Sequence, residues 1–315
     1  MTDRSSLVDL REQYRRGELD KHELSRRLSA HHATLVEHAE LLAGTDIARI
    51  EISPSEVSFV SRFGGARFPC DPRDRGLPPV VALDFCSYEP TDFAMVRQLV
   101  APGGTFVDLG ANIGWYTVHV ALGDPSARVL AVEPIPASYR WLTQAVARNS
   151  LANVTTLNAG VAAEPGEIEL WLDTGISGAA SSAPSSGTEG LERLTCPAVT
   201  IDDLVTTHDV VASFIKIDIE GAELFALQGA ERVLSEQRPI VFAEMLRKLT
   251  RPFGYHPNDI IALMHRHGYR CYHAVGTTLV NFTAMTEETT ETNFYFLHPD
   301  AHGPMLARLV DERAG

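Results

Sequence analysis

The stretches "TFVDLG", "RVLAVEP", "NVTTLNAGV", "FIKIDI" and "PIVFAEM" constrain this chain more than any other feature. Each is a continuous apolar run and not an alternation of apolar and polar positions, the pattern of strands buried on both faces of a parallel sheet. Helix-patterned segments separate them near residues 115 to 122, 137 to 149, 222 to 235 and 258 to 267, the last with Pro257 at its start and Gly268 past its end. Strands alternating with helices predict an α/β, doubly wound, mostly parallel sheet. A further helix is predicted in "YEPTDFAMVRQLVAPGG", stopped by Pro102, Gly103 and Gly104.

Ahead of this rhythm, residues 1 to about 45 read as two amphipathic helices, with Leu7, Leu10 and Tyr14, then Leu24, Leu28, Leu35 and Leu42, near helical spacing. They suit a packing extension or a homo-oligomer contact, with a cap over the substrate as the alternative. From Ile50 to about Asp84 the runs "VSFVSRF" and "VVALDF" read as short strands. The expected division is an N-terminal extension, 1–85, and a main domain, 86–315. Within the latter, "TGISGAASSAPSSGTEG", residues 174–190, has four Gly and five Ser, and is expected to be a mobile lid or a linker.

With 315 residues and 44% hydrophobic content the chain can bury a sizeable core. No run approaches the roughly 20 apolar residues that span a bilayer, and the N-terminus is charged, so a cytoplasmic protein with no membrane partner is expected. The four cysteines are scattered, which favours reduced thiols over a zinc cluster or a disulfide framework. The net charge is −14, and between Glu164 and Glu244 there are 15 acids against 4 bases. Such a surface repels phosphate backbones and argues against nucleic acid as a partner.

The loop "FVDLGANIGWYT" follows the first apolar run of the domain, where doubly wound sheets bind ligands. Gly110 and Gly114 allow tight turns and close backbone approach. A dinucleotide loop would read G-x-G-x-x-G, whereas this one reads D-L-G-A-N-I-G. Asp108 would repel a pyrophosphate but suits a cationic amino-acid moiety, and Glu133, ending the next strand in "AVEP", can accept two ribose hydroxyls. S-adenosylmethionine has a ribose, an ammonium and no phosphate. A nicotinamide-dependent oxidoreductase and a cofactor-binding interaction protein without catalysis are the alternatives.

The blocks "FVDLGANIGWYT", "AVEPIPASYRWLTQAVARNSLANV", "VTIDDL", "FIKIDIEGAELFALQGAERVL" and "PIVFAEM" resemble those of the FkbM-type methyltransferases, from about Tyr88 to Phe296. The resemblance implies a class I, Rossmann-like domain with a seven-stranded sheet that uses S-adenosylmethionine. It implies a cofactor loop at Asp108, Gly110, Asn112 and Gly114, and a ribose acid at Glu133. Less specifically it implies contacts from Ser138, from Gly160 and Val161 near the adenine, and from Glu89 near the methionine part.

For chemistry, "FIKIDIEGAEL" is the informative segment. Lys216 and Asp218 are two apart on a strand and share a face, so mutual pairing, or pairing of Lys216 with Glu244, competes with a catalytic role for Asp218. Asp218, Glu220 and Glu244 are the candidate catalytic residues, as bases toward an acceptor hydroxyl or together as oxygen ligands for Mg²⁺. His119 and His208 are further candidates for the base. Glu223 is read as a helix-start acid outside the site. The expected activity is O-methylation of a hydroxyl on a small molecule, such as a secondary metabolite or a sugar.

Overall fold

The computed structural model describes residues 6–172, 180–181 and 192–310. The Gly- and Ser-rich interval at 174–190, expected as a lid or linker, lies outside the described residues except for Ala180 and Ser181.

The two N-terminal helices form as predicted. Helix α1 (Leu7–Arg15) is capped by Ser6, whose side chain accepts from the Asp9 amide, and α2 (Lys21–Leu41) is capped by Asp20. A small antiparallel sheet follows, of β1 (Ile47–Ile52), β2 (Val57–Ser61) and β3 (Arg67–Pro69). "VVALDF", expected as a strand, is instead the end of helix α3 (Pro78–Asp84). Pro78 and Pro79 occupy the first turn, where their missing amides cost nothing, and a short apolar run carries no period that separates strand from buried helix. Helix α4 (Pro90–Leu99) then leads into the main sheet.

The first half of that sheet alternates as expected: β4 (Thr105–Leu109), α5 (Trp115–Gly123), β5 (Arg128–Val132), α6 (Pro136–Arg148) and β6 (Val154–Leu157). "NVTTLNAGV" does not stay one strand. After β6 the chain leaves the sheet, and β7 (Gly160–Val161) joins a second sheet with β8 (Gly166–Leu172), β9 (Ala180–Ser181) and β10 (Glu192–Val199), in the order β7-β10-β8-β9. The main sheet resumes through α7 (Ile201–Thr207), β11 (Ala212–Ile217), α8 (Glu223–Gln228) and β12 (Ile240–Glu244). The single helix expected over 222–235 is broken at Gly229, where a Cβ would meet the Ala162 carbonyl oxygen at 2.4 Å. The chain then turns again, its Arg232 and Val233 amides donating to the Asp202 carboxylate, before a π-helical turn at Val233–Gln237. Short α9 (Arg247–Thr250), α10 (Pro257–Arg266), β13 (Arg270–Val275), β14 (Thr278–Phe282), β15 (Asn293–Leu297) and α11 (Pro299–Leu309) complete the fold.

The eight strands of the main sheet run in the order β14-β13-β15-β12-β11-β4-β5-β6. From β12 to β6 all neighbours are parallel, whereas β15 is antiparallel to both β12 and β13. Seven strands match the expected class I architecture, and β14 adds an eighth by a hairpin from β13. The winding reverses between β4 and β11, so the loops after these two strands flank the switch point where such sheets bind ligands.

Both faces are buried, which is why the strands read as continuous apolar runs. Phe106, Phe214, Phe242 and Tyr295 face one core, and Val107, Ile215, Val241 and Phe296 face the other. The strands of the extension share the first core: Phe68 stacks on Trp115 at 5.0 Å, and Ile47 and Phe59 are fully enclosed. Among the described residues no helix is long and apolar enough to cross a membrane.

The two loops at the switch point touch through backbone. The Asp218 amide donates to the Leu109 carbonyl at 3.0 Å, and a Cβ on Gly110, which sits at φ +76°, would lie 1.8 Å from the Asp218 carbonyl oxygen. The first glycine of the loop therefore serves strand-to-strand packing directly. Gly110→Ala is expected to destabilise the protein by on the order of 3 kcal/mol, from left-handed strain plus the clash, measurable as a shifted denaturant midpoint. An unchanged midpoint would mean the two loops separate at little cost.

Candidate active site

Asp108, Lys216, Asp218 and Glu244 lie at even spacing on β4, on β11 and its exit, and on β12, so their side chains share the face of Phe106, Phe214 and Phe242. Lys216 is 4% exposed, with its Nζ 3.0 Å from Asp218 Oδ2 and 3.7 Å from Asp108 Oδ1. Tyr116 lies beneath the ammonium, its ring centroid 5.3 Å away, and its hydroxyl donates to Glu89 Oε2 at 2.6 Å. Burial alone would lower the pKa of Lys216, but Asp218, Asp108 and Glu89 more than offset it, so the ammonium stays charged. The pairing weighed for Lys216 is thus with Asp218 and Asp108, and Glu244 takes no part in it.

Asp108 is fully enclosed. Its Oδ2 accepts from both the amide and the hydroxyl of Thr117, at 3.1 and 2.6 Å, which ties the strand end to the start of α5. Glu133, also buried, accepts from the Asn112 amide on Oε2 and from the Ile135 amide on Oε1, each at 2.8 Å. Those bonds fix the carboxylate across the mouth of the glycine loop and leave lone pairs free for a ligand. The Asn112 side-chain oxygen beside it is buried with no partner among the described residues.

A cavity of about 820 Å³ opens along this edge of the sheet. Six of the nine expected cofactor residues line it: Glu89, Gly110, Asn112, Glu133, Gly160 and Val161. Asp108, Gly114 and Ser138 do not reach its wall. Asp108 is held behind by Lys216 and Thr117, Gly114 caps α5 at φ +89° with a Cβ position 2.7 Å from Leu142, and Ser138 is buried in the first turn of α6. Gly160 leaves room for Ile168 of β8, whose Cδ1 would be 2.1 Å from a Cβ there. All three candidate catalytic acids, Asp218, Glu220 and Glu244, are on the wall.

Among the described residues no Lys, Arg or His lines the cavity, and seven carboxylates do. The two histidines weighed as bases are elsewhere. His119 is buried between the Trp115 carbonyl and the Ser61 hydroxyl, and burial lowers its pKa to about 4. His208 ends α7, where its carbonyl accepts from Arg128. Residues the sequence did not single out complete the wall: Tyr88, Phe225, Phe253, and Ile168 and Leu170 of the second sheet. Tyr88 and Phe225 lay within quoted segments but were not singled out; Ile168 and Leu170 come from β8 and Phe253 from the turn after α9, which carry no spacing signal.

Glu223 accepts from the Ile219 and Gly221 amides and from the Tyr255 hydroxyl, so it holds the loop that presents Glu220. Glu220 itself sits at φ +56°. Among the described residues no three His, Cys, Asp or Glu side chains are grouped to hold a metal ion, so the Mg²⁺ alternative gains no support from this arrangement.

Comparison with known proteins places the chain in a family. The model of the methyltransferase FkbM domain matches residues 108–271, and the chain belongs to the FkbM family of S-adenosylmethionine-dependent methyltransferases. It is 27% identical over 192 residues to methyltransferase sdnD of Sordaria araneosa, covering 52% of this chain and 72% of that protein. It is 22% identical to methyltransferase 1 of Beauveria bassiana, covering 40% of this chain and 57% of that one. A solved structure of methyltransferase FkbM from Methylobacillus flagellatus KT aligns with a TM-score of 0.43 and 20% identity, over 65% of this chain and 47% of that one. The chain thus spans about half the length of that solved protein.

Burial, the first cause in each case, holds the carboxyls of Glu133, Glu220 and Glu223 at about 7 and that of Glu244 at about 9, against 4.5 ordinarily. Between those values the folded protein binds more protons than the unfolded chain. Their contribution to stability is therefore full below about 4.5 and is lost as pH rises through about 7 to 9. The melting temperature is expected to fall between pH 5 and pH 9, and Glu244→Gln is expected to flatten the upper part of that fall. A melting temperature that rises across this range would contradict the burial of these acids.

Proposed function

We propose that this chain is an O-methyltransferase that transfers the methyl of S-adenosylmethionine to a hydroxyl of a small molecule, such as a secondary metabolite or a sugar. The observation that carries the reading is one cavity with a backbone-oriented acid, Glu133, toward one end and the acids Asp218, Glu220 and Glu244 toward the other. β5 and β12 are three strand spacings apart, which puts Glu133 about 14 Å from Glu244, and Asp218 and Glu220, at the exit of β11, lie one strand nearer. That length suits a nucleoside with an amino-acid tail and an acceptor beyond it.

The chain's residues fit the cofactor in chemistry as well as size. Glu133 accepts from a ribose diol, Asn112 Oδ1 offers an unpartnered acceptor, and Val161 and Ile168 offer an apolar side for a base. Glu89 suits an ammonium. When bound, S-adenosylmethionine supplies an electrophilic methyl on a sulfonium. The protein's part is to align the acceptor, exclude water and take its proton.

Glu220 is the best matched of the three acids for that proton. Its pKa of about 7 makes it a base that is half ionised at neutral pH, close to the optimum for proton transfer. Glu244, at about 9, is protonated there and is able to donate a hydrogen bond to the acceptor. Asp218, bonded to Lys216, positions the loop and the acceptor.

Two outcomes are expected. Glu133→Ala should weaken S-adenosylhomocysteine binding by about 1.5 to 3 kcal/mol, read by calorimetric titration, and unchanged affinity in the folded variant would take Glu133 out of the cofactor site. With an acceptor in hand, kcat should rise with pH through about 7, and Glu220→Gln should lower it roughly 10²-fold and abolish that limb while leaving cofactor affinity intact. A Gln variant that keeps the limb would shift the base role to another group.

A further inference from the structure

Six of the ten exposed large hydrophobic side chains among the described residues lie on α1 and α2: Leu7, Val8, Tyr14, Leu35, Val36 and Leu41. Helix α2 is 21 residues long and buries none of them. A helix in water draws most of its stability from packing an apolar face, so one this bare lacks part of its support.

The lack is confined to one half. A short connection folds α1 back onto the start of α2, where Leu24, Arg27, Leu28 and His31 are partly buried. From His32 to Leu41 every residue is exposed. Within that half, Leu35, Val36 and Ala39 form a stripe at helical spacing. The charges divide at the same place. Residues 21–31 carry Lys21, Arg26 and Arg27 against Glu23, a balance of +2, whereas residues 32–41 carry only Glu37 and Glu40, a balance of −2.

We propose that α1 and α2 form an interface between two copies of this chain, paired about a two-fold axis across the middle of α2 with the α2 helices antiparallel. The antiparallel sense sets the basic half of each α2 against the acidic half of the other and opposes the helix dipoles; a parallel pair would set like charges together. The same axis brings the partner copy's α1 over the bare half of α2. Leu35 and Val36 are then covered by the apolar side chains that α1 leaves exposed. Each copy thus supplies the half-layer that the other lacks, the self-complementarity that an isologous dimer requires.

The test is the mass of the full chain in solution by sedimentation or light scattering at micromolar concentration. The expected result is twice 34.5 kDa, falling to the monomer mass in Leu35→Glu with Val36→Glu while the main melting transition is retained. Charge variants guard against a folding defect. Glu37→Lys with Glu40→Lys makes both halves basic, and Lys21→Glu with Arg26→Glu makes both acidic. Each variant alone should be monomeric, and an equimolar mixture should form a mixed dimer. A wild-type chain that stays monomeric, a dimer indifferent to all of these substitutions, or charge variants that fail to pair in the mixture would overturn the proposal.

Discussion

The buried ammonium of Lys216 is the interaction around which the catalytic edge is arranged. It sits 4% exposed between Asp108 and Asp218, above Tyr116, at the point where the winding of the sheet reverses. None of these charges could be left unpaired there, since stripping one partner from a buried ion pair costs about 3 to 5 kcal/mol. The pairing therefore joins the end of β4 to the end of β11, and through Thr117 and Tyr116 it also joins the start of α5. The glycine loop after β4 and the acidic loop after β11 are held in one relation to each other.

That relation explains the uneven fates of the polar residues around the loop. Asp108, the acid first expected to meet the cofactor's cationic part, is the foundation of the loop and has no surface on the cavity. Glu89, Asn112 and Glu220 do reach the cavity, and all three adopt positive φ without being glycine. Each such residue costs of order 1 to 3 kcal/mol and persists because surrounding bonds over-determine it. For Glu220 those bonds come from Glu223, and for Asn112 from Glu133.

The electrostatic character of the cavity follows from the same arrangement. With Lys216 turned inward to Asp108 and Asp218, the charged side chains on the wall are, among the described residues, all acids, and low dielectric plus mutual repulsion raises the proton affinity of Glu220 and Glu244. A pocket of that kind disfavours anionic groups at its acidic end and favours neutral or cationic ones. It also places groups of graded proton affinity side by side, as proton transfer near neutral pH requires.

Much was legible in the sequence, for identifiable reasons. Continuous apolar runs need two buried faces, so "TFVDLG", "RVLAVEP", "FIKIDI" and "PIVFAEM" specified strands of a covered parallel sheet, and period-2 geometry put Lys216 and Asp218 on one face. Strand ends in such a sheet mark the ligand edge, which is why Glu133 and the three acids, all of them on the cavity wall, could be named as candidates beforehand. "VVALDF" was not legible, because a short apolar run fits a buried helix equally well, nor was the break at Gly229, which depends on the Ala162 carbonyl 67 positions away in the chain. What only the tertiary structure decided is which polar groups face the cavity and which face each other. Asp108 turns to Lys216, His119 to Ser61, and Ile168 closes over Gly160. Those choices rest on contacts between residues far apart in sequence, and local spacing holds no record of them.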